Sequence, residues 1–178
     1  MSMNFDFIKE NKKAIWFLLV FVGLYLVLNT IYGFFIQYYY PSSDPFTRLV
    51  TSQVVWFLSW FDSSIHFSPS SLVKNIAVAN GQKVIIYVYE GCNGVNVMIV
   101  YLCFLAAFRG SSTLFFKFLT MGVACIHVLN LARVGLLYAV AIYFPGQLYF
   151  FHKFFFTGII YVAVFVLWFY WVRSVKHE

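Results

Sequence analysis

Four apolar segments, residues 14–36, 95–108, 113–131 and 154–172, dominate this chain. An α-helix needs about 20 consecutive apolar residues to cross a bilayer. Inside hydrocarbon every backbone polar group must be satisfied within the segment, so such runs are committed to helix. Of the 178 residues, 62% are hydrophobic and 10% charged. Soluble domains carry about 25% charged residues, so this chain cannot cover itself with polar surface. The sequence therefore predicts an all-α integral membrane bundle, one domain over residues 1–178. About four transmembrane helices are expected, over 14–36, 93–108, 113–132 and 153–172. The second is short unless it borrows its flanks. The first lacks a small-residue cleavage site before its exit and reads as a retained helix rather than a removed signal peptide.

The formal net charge of +6 raises nucleic acid as a partner. The basic residues instead sit at the ends of apolar segments, where they set topology, so no nucleic acid is expected. Placing Lys9, Lys12, Lys13, Arg109, Lys117, Arg173 and Lys176 on the cytoplasmic side gives both termini inside. The Arg109 to Ser112 stretch then forms a tight inner loop.

The outer connection, 37–90, is long for so small a protein. It holds a short amphipathic stretch, 54–61, expected to lie in the interface. It also holds Asn80-Gly81 between two β-type runs, the strongest short hairpin signal in sequence. A small β-hairpin on the outer side, before Cys92, follows. Between Arg133 and His152 the apolar run 134–144 is too short to cross alone. It is either the overhanging end of the third helix or a short re-entrant or interfacial piece.

Three residues at segment edges carry the chemistry. Cys92 lies between Gly91 and Gly94, where the hairpin meets the second helix. A cysteine attacks as thiolate, and an ordinary pKa of about 8.5 leaves little thiolate at neutral pH. A helix N-terminus, the Arg133 cation and the His152 imidazole could each lower it. Cys92 alone fits equally well a small buried hydrophobe.

Arg133 interrupts an apolar stretch, at a cost of about 2.5–3.5 kcal/mol were it at a helix centre. Near the boundary it can snorkel; functionally it is a donor fork for an oxyanion or a carbonyl. Asn130 lies on the same helical face, able to orient Arg133 or add a donor. His152 opens the last helix, as a base or as an ordinary interfacial histidine. Glu90 could tune His152 or stand as a solvated carboxylate. His127, deeper in its helix, reads as packing or hydrogen bonding. No metal-ligand cluster and no C-x-x-C pair occurs, so neither metal nor other cofactor is expected.

Taken as an ordered set, Glu-Gly-Cys-Asn-Gly at 90–94, Asn-Leu-Ala-Arg at 130–133 and His152 before the final helix resemble the exosortase/archaeosortase family of membrane transpeptidases. The chain is similar to the compact F-type branch, found in bacteria with an outer membrane. Many members place a glycine four positions after the histidine, whereas here Gly158 comes six after.

The resemblance implies Cys92, Arg133 and His152 as catalytic residues, with Asn130, Glu90 and Gly94 in support. It implies an inner-membrane protein whose active site faces outward. It also implies exported substrates bearing a C-terminal sorting signal: a short motif, an apolar helix and a basic tail. Besides membrane lipid, these are the expected partners, and the tail would dock in a lipid-facing groove. The rival class is a non-catalytic membrane scaffold or transporter subunit with Arg133 as an anchor. A thiol oxidoreductase is disfavoured, because no resolving cysteine shares the face. Small-residue packing motifs are too sparse to argue an oligomeric state.

Overall fold

The computed structural model describes residues 11–69, 74–108 and 110–177. Lys9 and Arg109, two of the expected topology determinants, lie outside the described residues. The protein is mostly helical, with one three-stranded sheet. Its helices are α1 (Lys12–Tyr39), α2 (Pro45–Leu58), α3 (Val95–Ala107), α4 (Ser112–Tyr143) and α5 (Pro145–Lys176). The strands β1 (Ile65–Pro69), β2 (Ile76–Asn80) and β3 (Lys83–Val88) lie between α2 and α3.

Three helices, α1, α4 and α5, are long and apolar enough to cross a membrane. The expected second crossing is corrected in its length. α3 has 13 residues, and at 1.5 Å per residue it covers about 20 Å of a hydrocarbon core of about 30 Å. α1 packs on α3, and α4 packs on both α3 and α5. Neighbours run antiparallel: Tyr32 near the end of α1 meets Asn93 just before α3, and Phe118 early in α4 meets Trp171 late in α5. All short connections between helices therefore alternate ends. The sheet, α2 and Cys92 cluster at one end of the bundle, while Lys12, Lys13, Lys117, Arg173 and Lys176 fall at the other.

Among its described residues, the connection 37–90 holds a helix and three strands rather than a loop alone. Of the expected interfacial stretch 54–61, residues 54–58 are the last part of α2, which starts at Pro45, and 59–61 lie beyond its end. The start follows from side-chain chemistry. Asp44 is the N-cap, its carboxylate accepting from the Phe46 and Thr47 amides at 2.9 and 3.0 Å, and Pro45 takes the first helical position. The expected two-stranded hairpin is the β2–β3 half of an antiparallel sheet, to which β1 adds a third strand in the order β1-β2-β3. Asn80 closes β2 opposite Lys83, and Gly81-Gln82 make the turn, with Gly81 at φ +57°, a conformation that favours glycine.

The third helix does not stop at 132. α4 runs on to Tyr143, since nothing between Ala132 and Pro145 removes a backbone donor or forces a turn. Of the two alternatives for 134–144, the helix overhang is the one present. α5 begins at Pro145 rather than 153, and passes through a π-helical turn over Phe151–Phe155 before settling into α-helix at Phe156.

Two larger apolar clusters and a smaller one, Leu137, Val140 and Phe156 between α4 and α5, hold these parts. Tyr101, Leu105, Phe118, Ile126, Val164, Leu167 and Trp171 join α3, α4 and α5. Val50, Val54, Val78, Val88, Cys92, Val134 and Tyr138 seat the sheet on α2 and the α4 overhang. In the first cluster Gly122 faces the Tyr101 ring so closely that any side chain would strike it, and the Tyr101 hydroxyl donates to the Phe118 carbonyl at 2.8 Å. Gly122→Val should therefore overpack the α3–α4 seam and cost about 1–3 kcal/mol. A lower midpoint of thermal unfolding in detergent would register this; an unchanged midpoint would refute the close approach.

Candidate active site

β3 feeds into a single 3₁₀ turn, Glu90–Cys92, which leads through Asn93 and Gly94 into α3. The turn closes when the Cys92 amide donates to the Tyr89 carbonyl at 2.8 Å. Gly94 sits at φ +81°, in the left-handed region that side chains avoid. A Cβ there would also press on the Asn130 side chain, 3.1 Å from its Cγ. Gly94 thus leaves room for Asn130, which is fully buried and donates from Nδ2 to the Cys92 carbonyl at 2.8 Å.

Asn93 secures the other side of the turn. Its Nδ2 donates to the Tyr32 hydroxyl at 2.6 Å and to Thr47 Oγ1 at 3.1 Å, and its Oδ1 accepts from the Val95 amide at 3.0 Å. Four elements, α1, α2, α3 and α4, therefore hold the backbone around Cys92. Such a buried network fixes one geometry, although Asn130 Oδ1 makes no hydrogen bond among the described residues.

Cys92 Sγ lies 3.6 Å from His152 Nε2, across 60 positions of sequence. The π-turn sets this approach. The His152 carbonyl is held by the Thr157 hydroxyl at 3.0 Å and by Arg133 Nη2 at 3.4 Å. π-turns within α-helices are frequent at functional sites. Arg133 Nε is buried and makes no hydrogen bond among the described residues. The Tyr89 ring lies 6.4 Å from the His152 ring.

Cys92 is 5% exposed. Burial pushes its thiol above the ordinary value, while hydrogen bonding to the Tyr89 backbone, the Arg133 charge and the Tyr89 phenol pull it down without winning. The expectation of a depressed pKa is thus corrected: the surroundings that desolvate the sulfur outweigh the cation. Since the folded site resists ionisation, alkylation of Cys92 should keep rising with pH into the alkaline range and show no plateau near neutrality. Iodoacetamide labelling of a Cys103→Ala, Cys125→Ala chain across pH checks this; full labelling rates already at pH 7 would refute it.

Cys92, Arg133, His152, Asn130 and Gly94 come together. Glu90 does not join them: it pairs with Lys74 Nζ at 3.5 Å. His127 hydrogen-bonds Gln53 Oε1 at 2.9 Å, in keeping with the hydrogen-bonding role expected of it. Sequence reasoning missed Tyr89, although its place just before the cysteine turn was a signal. It also missed Thr157 and the Tyr32–Asn93–Thr47 network, for which no local pattern exists.

A cavity of about 420 Å³ opens onto the pair, walled by residues 85–89 of the chain, Cys92, Val134, Leu137, Leu148, Tyr149 and His152. A second, apolar cavity of about 650 Å³ lies between α2, α3 and α4 on the Asn93 side of the same turn. A thiol and an imidazole share one cavity, with a cation beside them. Such a site can attack a carbonyl and return the proton to a leaving group.

A family model described as transmembrane exosortase matches residues 9–170, nearly the whole chain. No curated protein and no solved structure matches it significantly.

Proposed function

Because the chain belongs to the transmembrane exosortase family, which supports a membrane transpeptidase or sorting role in general, we propose that it is a cysteine-dependent transpeptidase. It cleaves a C-terminal sorting signal from exported proteins and passes the acyl group to an acceptor. The observation that carries this reading is the 3.6 Å approach of Cys92 Sγ to His152 Nε2, in a cavity beside Arg133.

In this mechanism His152 Nε2 takes the thiol proton as Sγ bonds to the carbonyl carbon of the scissile peptide. The carbonyl oxygen becomes an oxyanion, stabilised by Arg133, whose Nε is a spare donor. Collapse breaks the C–N bond, and the proton on His152 goes to the leaving amine. The thioester is then attacked by an amine or other acceptor, which displaces the thiolate and restores the thiol. The apolar tail lies against the helices, where the cavity between α2, α3 and α4 offers an apolar wall. We place the site on the outer face of the inner membrane, with both termini in the cytoplasm, from the distribution of Lys and Arg.

The test compares the C-termini of surface and secreted proteins, by peptide mass spectrometry, between cells carrying wild type and Cys92→Ala at equal membrane levels. A set of proteins keeping an apolar, basic-ended tail only in the mutant is the expected result. Unchanged tails would transfer support to the scaffold reading.

A further inference from the structure

β3 is an edge strand, since the sheet runs β1-β2-β3. Its ladder is with β2 alone. Among the described residues, none of its backbone groups hydrogen-bonds any element other than β2. An edge left open in this way is a template for another strand. Proteins usually blunt such edges with bulges or charges; β3 has one such irregularity, the extra residue Ile85 where its register against Val78 and Ala79 shifts, and a trough runs along the strand on both sides of it.

The trough is built from two adjoining cavities. The one at the cysteine, about 420 Å³, takes in Ile85 to Tyr89 and Cys92. The other, about 480 Å³, takes in Asn80 and Lys83 to Ile85, and the two meet at Ile85. Together they follow β3 from its first residue to the nucleophile candidate. The opposite wall comes from the α4 overhang and the first turns of α5: Ala141, Ile142 and Pro145 at the Lys83 end, Leu137, Leu148 and Tyr149 at the Cys92 end. Val84 and Tyr87 are 41% and 59% exposed, so both positions beside the trough are reachable.

We propose that the substrate segment preceding the scissile bond binds as an added β-strand along the free edge of β3, parallel to it, ending with its carbonyl at Cys92. The proposal rests on the cysteine-transpeptidase reading and deepens it by naming how the substrate backbone is recognised. The occupant is an extended segment followed by an apolar helix. Main-chain hydrogen bonds give affinity in this mode, and alternate side chains give selectivity. Six residues of strand offer about 20 Å of edge.

The direction follows from geometry. α4 rises out of the bundle from Val134 to Ile142, so the Lys83 end of the trough lies farther from the bundle than the Cys92 end. A substrate whose following helix lies beside the bundle must run toward the bundle from N to C. β3 also runs that way, from Lys83 to Val88 and on to Cys92. Parallel addition to an antiparallel sheet gives a mixed sheet, which is common.

The test places p-benzoylphenylalanine singly at Val84, Tyr87 or Tyr149 of the full chain carrying Cys92→Ala. Native membranes are illuminated, and peptides of exported proteins crosslinked to the chain are sequenced. Val84 and Tyr87 should both capture the segment just before an apolar helix, the Tyr87 adduct lying about three residues closer to that helix. The reverse order, or capture from Tyr149 alone, overturns edge pairing and leaves the transpeptidase reading standing. Capture from no position also overturns it. If tails are in addition unchanged by Cys92→Ala, the transpeptidase reading falls with it.

Discussion

Cys92→Ser at wild-type membrane abundance should slow removal of the substrate tail by roughly 10⁴-fold or more, the scale on which loss of a catalytic nucleophile is felt. Serine keeps the size of the side chain but not its acidity, and His152 as placed would have to deprotonate a much weaker acid. Folding should survive. The sulfur is packed with Val54, Val88 and Val134, and exchanging it for a hydroxyl in that setting costs about 1–3 kcal/mol at most. Pulse-chase labelling with quantification of tailed and trimmed C-termini measures the rate, and thermal unfolding in detergent controls for the fold. A serine variant within tenfold of wild type would show that the thiol is packing, as a scaffold requires.

His152→Ala should lower the same rate by about 10²–10⁴-fold, the usual contribution of a positioned general base. The reason is the raised thiol pKa: with burial dominating, little thiolate exists at neutral pH and the proton must be taken during attack. The sign of the pH effect follows. Raising the pH ionises more Cys92 without help, so the deficit of the variant relative to wild type should narrow in alkaline solution. Purified chain and a tailed substrate identified by mass spectrometry allow that profile to be measured. A deficit that stays constant from neutral to alkaline pH would show that His152 positions the site and moves no proton. Thr157→Val offers a graded companion, since it frees the His152 carbonyl from its 3.0 Å hydroxyl contact while leaving the imidazole in place.

Much of this protein is legible along the chain because its elements are set by local chemistry. Apolar runs in hydrocarbon have no option but helix, and the Asn80-Gly81 signal marks a hairpin whose turn, Gly81-Gln82, opens through the φ that Gly81 adopts. Helix boundaries were less legible. The α4 overhang and the early start of α5 depend on packing against the sheet and on each other, so the apolar run 134–144 read two ways. β1 escaped notice because His66-Phe67-Ser68 has no pattern of its own and becomes strand only by pairing with β2. α2 was half seen: its apolar face was found, while Asp44-Pro45, a local start signal, was overlooked.

The candidate site divides along the same line. Cys92, Arg133 and His152 stood out because each is chemically out of place at the edge of an apolar segment, and Asn130 stood out by its spacing on the Arg133 face. Glu90 was drawn in by proximity in sequence, and only the fold gave it Lys74 instead. The sulfur's acidity could not be foreseen either. A cation and a helix start are visible in sequence, whereas desolvation depends on what the sheet, α2 and the α4 overhang place around the thiol. Composition and the order of its odd residues were thus enough, by themselves, to determine a membrane helix bundle and the identity of its reactive candidates. Tertiary structure alone decided which of them touch, how far the thiol is desolvated and that a strand edge leads to it, because distance, burial and an unpaired edge arise only when segments remote in sequence pack together.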